Sequence, residues 1–312
     1  MDVLTDILNA AGLKKSLLVS HAFRSPWAMR LPCNQSMGFH IVTHGEAYVR
    51  APRFDVPLRL ERGDIVLIRR GFDHVVSTDL STPVPSNPVA GPFPVPEAVD
   101  TPPLAVITCG LYQFQTEPIH PLFAELPEVI VIRSTEIAAH SPLNVAQQLL
   151  SAELAQGGQG SEAVVKALLD VMFHYILRNW LEREGAGRES DERNEGKGRW
   201  SRALKDAHLR RAIEAMHANP ETDWSLEDLA AVAGLSRASF AERFKRLASD
   251  TPGHYLARLR IQRAMDLLRA TDDNLDAIAE RVGYGDPFVF SKAFKRIQGV
   301  SPREFKKQLM AA

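Results

Sequence analysis

The sequence predicts an α+β chain of more than one domain: an N-terminal β-barrel carrying a helical hairpin, then an all-α domain with two helix-turn-helix units. Three observations predict it. Short β-prone runs alternate with glycine and aspartate turns in the first third, apolar residues fall at helical spacing from 142 to 182, and a repeat occupies the region beyond residue 200. At 312 residues with 45% hydrophobic content the chain can support about two domains, each with a core. No apolar run approaches the roughly 20 residues of a membrane span, and the first thirty residues lack a basic start followed by an unbroken apolar stretch. A cytoplasmic chain is expected. Two cysteines, Cys33 and Cys109, are too few for a disulfide framework and fit a reducing compartment.

The β-prone runs lie at 39–43, 47–49, 58–60, 65–68 and 106–108, most of them separated by turn signals such as His44-Gly45 and Gly63-Asp64. The proline-rich insertion between Pro83 and Pro103 can form neither helix nor interior strand and reads as a long surface loop. From Pro142 onward Leu143, Ala146, Leu149, Leu150 and Leu154 share one helical face, and Val164, Leu168, Val171, Met172 and Ile176 share another. Glycines at 157, 158 and 160 turn the chain between them. Such a hairpin either covers the sheet or pairs with a second copy of the chain. The polar stretch ending near residue 200 is the best linker, giving domains 1–183 and 201–312 joined by 184–200.

Beyond the linker, Phe240, Phe244, Lys245 and Arg246 recur as Phe290, Phe294, Lys295 and Arg296, an offset of 50, while Gly234 and Gly283 stand 49 apart. The second copy therefore has one more residue between its glycine and its following helix. In the first copy Ser225 caps a helix with Asp228 set for a capping box, Gly234 breaks it, and Ser236 caps the next helix. In the second, Gly283 turns, Asp286 caps and Pro287 takes the first helical position. Phe240, Phe244 and Leu247, and likewise Phe290, Phe294 and Ile297, mark the buried faces. Opposite them stand Arg237, Ala238, Ala241, Glu242 and Lys245, then Phe288, Val289, Lys292 and Arg296.

A helix from Pro252 to Leu268 links the units, with Tyr255, Leu256, Leu259 and Leu267 inward and Arg258, Arg260, Arg263 and Arg269 at its surface. From Lys197 to the end there are 21 Lys and Arg against 15 Asp and Glu, whereas the remainder has 16 against 23. Two basic helix-turn-helix units on a rigid link suit two neighbouring major-groove segments of duplex DNA, roughly 34 Å apart.

The stretches LEDLAAVAGLSRASFAERFKR and RIQRAMDLLRATDDNLDAIAERVGYGDPFVFSKAFKRIQGVSPREF resemble the AraC/XylS-type DNA-binding domain over about 100 residues. The resemblance implies a transcription regulator that works on promoter DNA with RNA polymerase as a partner. It also implies base-edge contacts from Ala238, Ala241 and Glu242, then Phe288, Val289 and Lys292. This chain departs from the usual pattern by having small or apolar residues at most of those places. Alanine and valine reach only thymine methyls, and Glu242 can accept from a cytosine amine. Arg237, Lys245, Lys292 and Arg296 are the expected phosphate contacts.

The first 183 residues resemble a cupin-type sensor domain, through GFHIVTHGEAYVR, LERGDIVLIRRGFDHVV, ITCGLYQF and HPLFAELPEVIVI. Metal-binding cupins place two histidines two apart on one strand. Here His40 and His44 are four apart, roughly 13 Å along a strand, so the enzyme-like metal set is broken. His40 with His74, and Cys109 as a third donor, would suit zinc or copper; the alternative is histidines packed around a small organic-ligand pocket. Cys33 and Cys109 also admit an oxidant-sensing reading, which their spacing of 76 leaves open.

Three functions compete: a regulator sensing a small molecule, metal or oxidant, acting as a homodimer; a cupin metal-dependent enzyme fused to a DNA-binding domain; and a DNA alkyl-repair hybrid. The enzyme needs a complete metal set, and repair needs an activated acceptor cysteine with basic neighbours. Neither Cys33 nor Cys109 has that setting, so the regulator is the expected function and catalysis is not.

Overall fold

A computed structural model describes residues 3–11, 13–31, 33, 36–52, 54–70, 72–84, 102–114, 119–184 and 198–311. In chain order its elements begin with α1 (Val3–Ala10), β1 (Leu13–Phe23), β2 (Ala28–Leu31), β3 (Ser36–His44), β4 (Glu46–Arg50) and β5 (Leu58–Glu61). Next come β6 (Ile65–Ile68), β7 (His74–Ser77), β8 (Ala105–Phe114), α2 (Pro121–Ala124), β9 (Val129–Ile132), a 3-10 turn over Ser134–Glu136, α3 (Pro142–Gln156) and α4 (Ser161–Glu184). Eight helices follow among the described residues. These are α5 (Arg199–Lys205), α6 (Ala207–Ala218), α7 (Leu226–Ala233), α8 (Arg237–Ala248), α9 (Pro252–Ala270), α10 (Leu275–Arg281), α11 (Pro287–Gln298) and α12 (Pro302–Ala311), with α5 following the segment where the linker was placed. Most of that linker and of the proline-rich insertion falls outside the described residues.

The chain divides into two compact units that do not follow chain order. One takes in Lys14–Phe114 and Leu126–Ala186; the other takes in Met1–Leu13, Gln115–Glu125 and Gly187–Ala312.

In the β-rich unit the strands do not close into one barrel. They form two antiparallel sheets, in the orders β1-β8-β3-β6-β9 and β2-β7-β4-β5. All five predicted runs fall within strands, whereas β1, β2, β7 and β9 were not anticipated. Continuous burial along Ile65–Ile68 explains why β6 reads as a plain apolar run rather than an alternation. Asp64, at the turn before β6, is buried and holds the 3-10 turn: it accepts from the Ser134 amide at 2.8 Å and the Arg133 guanidinium at 2.7 Å. In β3, His40 pairs across to Val66 on one side and Cys109 on the other, in register.

The helical hairpin forms as predicted, but its face is rotated from the expected one. Leu143, Ala146, Leu150, Met172 and Ile176 are buried, while Leu149, Val164 and Val171 are exposed and Leu168 is half-buried. Leu169, Phe173, Leu177 and Trp180 fill the core in their place, and Phe173 stacks on Tyr112 at 4.3 Å between ring centroids. A long apolar helix offers more than one plausible stripe, and the sheet selects among them.

In the helical unit, α6 is capped by Asp206, whose carboxylate accepts from the His208 and Leu209 amides and is paired with Arg243 of α8. Tyr255 of α9 is fully enclosed at a junction of four aromatic rings. Its hydroxyl meets His217 Nε2 at 2.7 Å and His120 Nε2 at 3.0 Å, and Trp200 lies 4.9 Å from it between centroids. The segment before α2 thus belongs to the helical unit, which sequence order alone does not suggest.

Candidate nucleic-acid interface and sensor cluster

The two helix-turn-helix units are α7–α8 and α10–α11. In the first, Ser225 and Asp228 form the reciprocal capping box, and Gly234 ends α7 at φ +69° with its amide on the carbonyls of Ala230 and Ala231. Ser236 caps α8 through the Ser239 amide. In the second, Gly283 takes φ +84°, Asp286 accepts from the Phe288 amide and Pro287 opens α11. The extra residue of the second copy lies after the glycine: Tyr284 and Gly285 stand between Gly283 and the capping Asp286, where the first copy has Leu235 alone between Gly234 and the capping Ser236. Gly283 also stands against a neighbouring backbone. A Cβ there would lie 2.4 Å from the Glu221 carbonyl oxygen, so position 283 admits no side chain as the chain now runs.

Phe240, Phe244, Phe290 and Phe294 are fully buried, which fixes the rotation of both second helices. Leu247 and Ile297, expected beside them, are half-buried, and Ala248 and Ala293 take buried places instead. The opposite faces carry the predicted residues. Arg237, Ala238, Glu242 and Lys245 are exposed on α8 with Ala241 partly so, and Phe288, Val289, Lys292 and Arg296 are exposed on α11.

The charges on these faces are not equivalent. Arg237 is paired with Glu227 of α7 at 2.9 Å, so its phosphate contact would compete with a carboxylate. On the second head Val289, Lys292 and Arg296 line a groove of about 410 Å³ with Arg260 and Tyr284.

The linking helix corrects an expectation. Of its four arginines, Arg258 donates to the Ile119 carbonyl at 2.8 Å, and Arg260 donates to the carbonyls of Pro220 and Thr222 while lying over the Tyr284 ring at 5.4 Å. Arg269 pairs with Asp266 and lies over Phe305. These three hold the fold together; only Arg263 fits the basic surface anticipated. Leu267 is half-buried, and Ile261, Ala264, Met265 and Leu268 form the inward stripe with Leu259. Arginines at three- and four-residue steps cannot be sorted by spacing into phosphate contacts and carbonyl clamps.

In the β-rich unit the structure brings together all the predicted sensor residues. His40 of β3 and His74 at the start of β7 are each only 2% exposed, and Cys33 and Cys109 are buried beside them. His40 Nδ1 lies 2.8 Å from Cys109 Sγ, its Nε2 lies 2.7 Å from His74 Nε2, and His74 Nδ1 lies 3.8 Å from Cys33 Sγ. His44 is at the exposed end of β3, past an irregularity in register after Val42, and takes no part. Burial holds both imidazoles in the neutral form, pushing His74 down to about 4, and pushes each thiol up to about 12. Raised thiols are poor nucleophiles, which counts against the oxidant-sensing reading of Cys33 and Cys109 as they stand. Among the described residues no three side chains of the metal-ligating types converge in ion-holding geometry.

A cupin family profile matches residues 2–182, and a helix-turn-helix domain profile matches residues 229–308. This chain belongs to the cupin-bearing, AraC-type transcription regulators. Over its whole length this AraC-type regulator is 29% identical to the HTH-type transcriptional regulator MtrA of Neisseria gonorrhoeae, covering 99% of each chain. It is 28% identical to a putative AraC-like transcription regulator of Streptomyces lividans, covering 98% of each. Among solved structures, an AraC-type transcriptional regulator of Chromobacterium violaceum is 30% identical over 34% of this chain and 96% of that one, with a TM-score of 0.33. The regulator is a DNA-binding protein. None of its described helices is long and apolar enough to cross a membrane.

Proposed function

We propose that this regulator acts in the cytoplasm as a homodimer, binds promoter DNA through α8 and α11, contacts RNA polymerase there, and changes its hold on DNA when the cupin unit receives a signal. The observation that carries the DNA part is the pair of capped heads whose second helices enclose two phenylalanines each and turn Lys245, Lys292 and Arg296 outward. Phosphate contacts from these cations supply affinity, and the side chains at the helix starts supply what base selectivity there is.

The sensor part is supported by the polar cluster around His40 and His74, a costly feature in an apolar core unless it does something. A signal shifts DNA binding only if it binds one state of the protein better than another. The experiment is footprinting of the purified full chain on the DNA upstream of its gene. Zinc, copper, a hydroperoxide and small organic candidates would be titrated in turn. A signal-dependent change in footprint or affinity supports the reading, whereas identical affinity and footprints with every candidate at saturation overturn it.

A further inference from the structure

A row of positive charge crosses the outer face of the smaller sheet. Arg30 of β2 and Arg50 of β4 each pair in register with Val75 of β7, which lies between them. The next row, Met29, Val76 and Val49, is buried in the core, so alternation along the strands turns the arginine row away from it. With strands about 4.8 Å apart, the two arginine Cα atoms stand roughly 10 Å from each other, and side chains of that length can close on a shared group from both sides. Both line a cleft of about 220 Å³, walled by Ala51, Pro52, Val75 and Val84.

Neither guanidinium is fully used. Arg30 is exposed, and its side chain has no hydrogen-bond or ion-pair partner among the described residues. Arg50 is half-buried. Its terminal nitrogens reach the Leu80 carbonyl and the Ser77 hydroxyl only at 3.4 Å each, and its Nε is buried without a partner among the described residues. A buried donor left unpaired costs stability, and such a group marks a place where a ligand or water completes the bonding. The other polar groups of the cleft do not take this role. His74 reaches it, but its ring nitrogens are engaged by the Phe72 carbonyl and by His40. Asp73 accepts from the Cys33 amide at 3.1 Å, and two arginines against this one carboxylate leave the cleft with a single net positive charge.

We infer that Arg30 and Arg50 form a binding site for a small organic monocarboxylate, its carboxylate held between the two guanidiniums and its apolar body against Val75 and the walls beside it. Guanidinium forks match a carboxylate in plane and spacing and bond it through charged hydrogen bonds. Apolar walls next to a charged end call for a ligand that has both, which a bare inorganic anion does not. At about 220 Å³ the cleft is smaller than the roughly 300 to 1,000 Å³ of drug-sized sites, so the body is short. A single net positive charge suits a monoanion, and the Asp73 carboxylate repels a dianion such as phosphate. The site names a ligand class for the proposed sensor role and rests on that role only for its consequence at DNA.

The test is calorimetric titration of the full chain with hexanoate and phenylacetate, beside their amides and inorganic phosphate. One molecule of acid per chain is expected, bound at least about tenfold more tightly than its amide or phosphate. Arg50→Gln should weaken the acid at least about tenfold, and Arg30→Gln, at the more exposed position, about threefold. Circular dichroism and DNA binding by the heads would verify that each variant is folded. If Arg50→Gln does not fold, Arg50→Lys keeps the charge and loses the fork, and should still weaken the acid. Protection of Arg30 and Arg50 from phenylglyoxal by the acid, read by mass spectrometry on the unaltered chain, answers the same question without a variant. No saturable binding of either acid, amides bound as tightly as acids, phosphate bound more tightly than both acids, or affinity unchanged in both arginine variants would overturn the assignment. One bound acid with no effect on DNA affinity keeps the site and removes it as the signal. A footprint that responds to another signal, with no acid bound, keeps the regulator and removes the site.

Discussion

Phe288 and Val289 leave 80% and 54% of their surface in water at the start of α11, beside Phe290 and Phe294, which leave none. An exposed aromatic next to lysine and arginine suits a DNA groove better than it suits free solvent, and the only apolar group a major groove offers is the thymine methyl. Replacing thymine by uracil at one position of the second half-site should therefore weaken binding about fourfold for a fully buried methyl. Uniform affinity across all such substitutions would mean that the pair does not meet the bases. Lys292→Ala is expected to weaken binding to all sequences alike and to lower the salt dependence by about one phosphate contact. An unchanged salt slope would place Lys292 away from the backbone. These outward residues were legible in the sequence because the repeated phenylalanines set the rotation of each helix. Cys33 was only half legible: it was paired with Cys109 as a thiol, and its place beside His74 depends on how β2 and β7 pair, which no spacing encodes.

At the scale of elements, the two turns invite a contrast. Both glycines have positive φ, but a Cβ at 234 meets side chains alone, Arg211 at 3.4 Å and His208 at 3.9 Å, whereas one at 283 strikes the backbone of Glu221. Gly234→Ala should cost about 1 kcal/mol, the ordinary penalty for a left-handed residue, and Gly283→Ala distinctly more, because α10 or the segment at 221 must move. Urea titration of the two variants measures the difference, and equal losses would contradict the close approach. Caps and turns were readable because serine, aspartate, glycine and proline act locally. The face of α4 was not, since its choice of stripe depends on Phe39 and Tyr112, contributed by strands far away in sequence. Nor was the work of Arg258 and Arg260, which clamp carbonyls that periodicity does not mark.

For the whole molecule, acidity provides a test. Burial pushes His217 down to about 4 and lowers His120 as well, both being held neutral around Tyr255. Above about pH 6.5 neither the folded nor the unfolded chain protonates these rings, so the helical unit keeps its full stability there. Between 6.5 and about 4 the unfolded chain takes up protons that the folded one refuses, and stability falls, by about 3 kcal/mol for His217 alone. Urea midpoints followed at about pH 7 and pH 5 should show this loss, and His217→Gln should reduce its steepness. A midpoint independent of pH over that window would show that the rings are not buried neutral.

The His120–Tyr255–His217 junction also bears on how the protein can be divided. A fragment beginning at 201, where the polar linker suggests a cut, would lack both Trp200 and His120 and leave one side of Tyr255 uncovered. In a longer fragment that begins at 198 and so keeps Trp200, a synthetic peptide spanning residues 119–125 should act as the missing piece supplied from outside and raise the melting temperature.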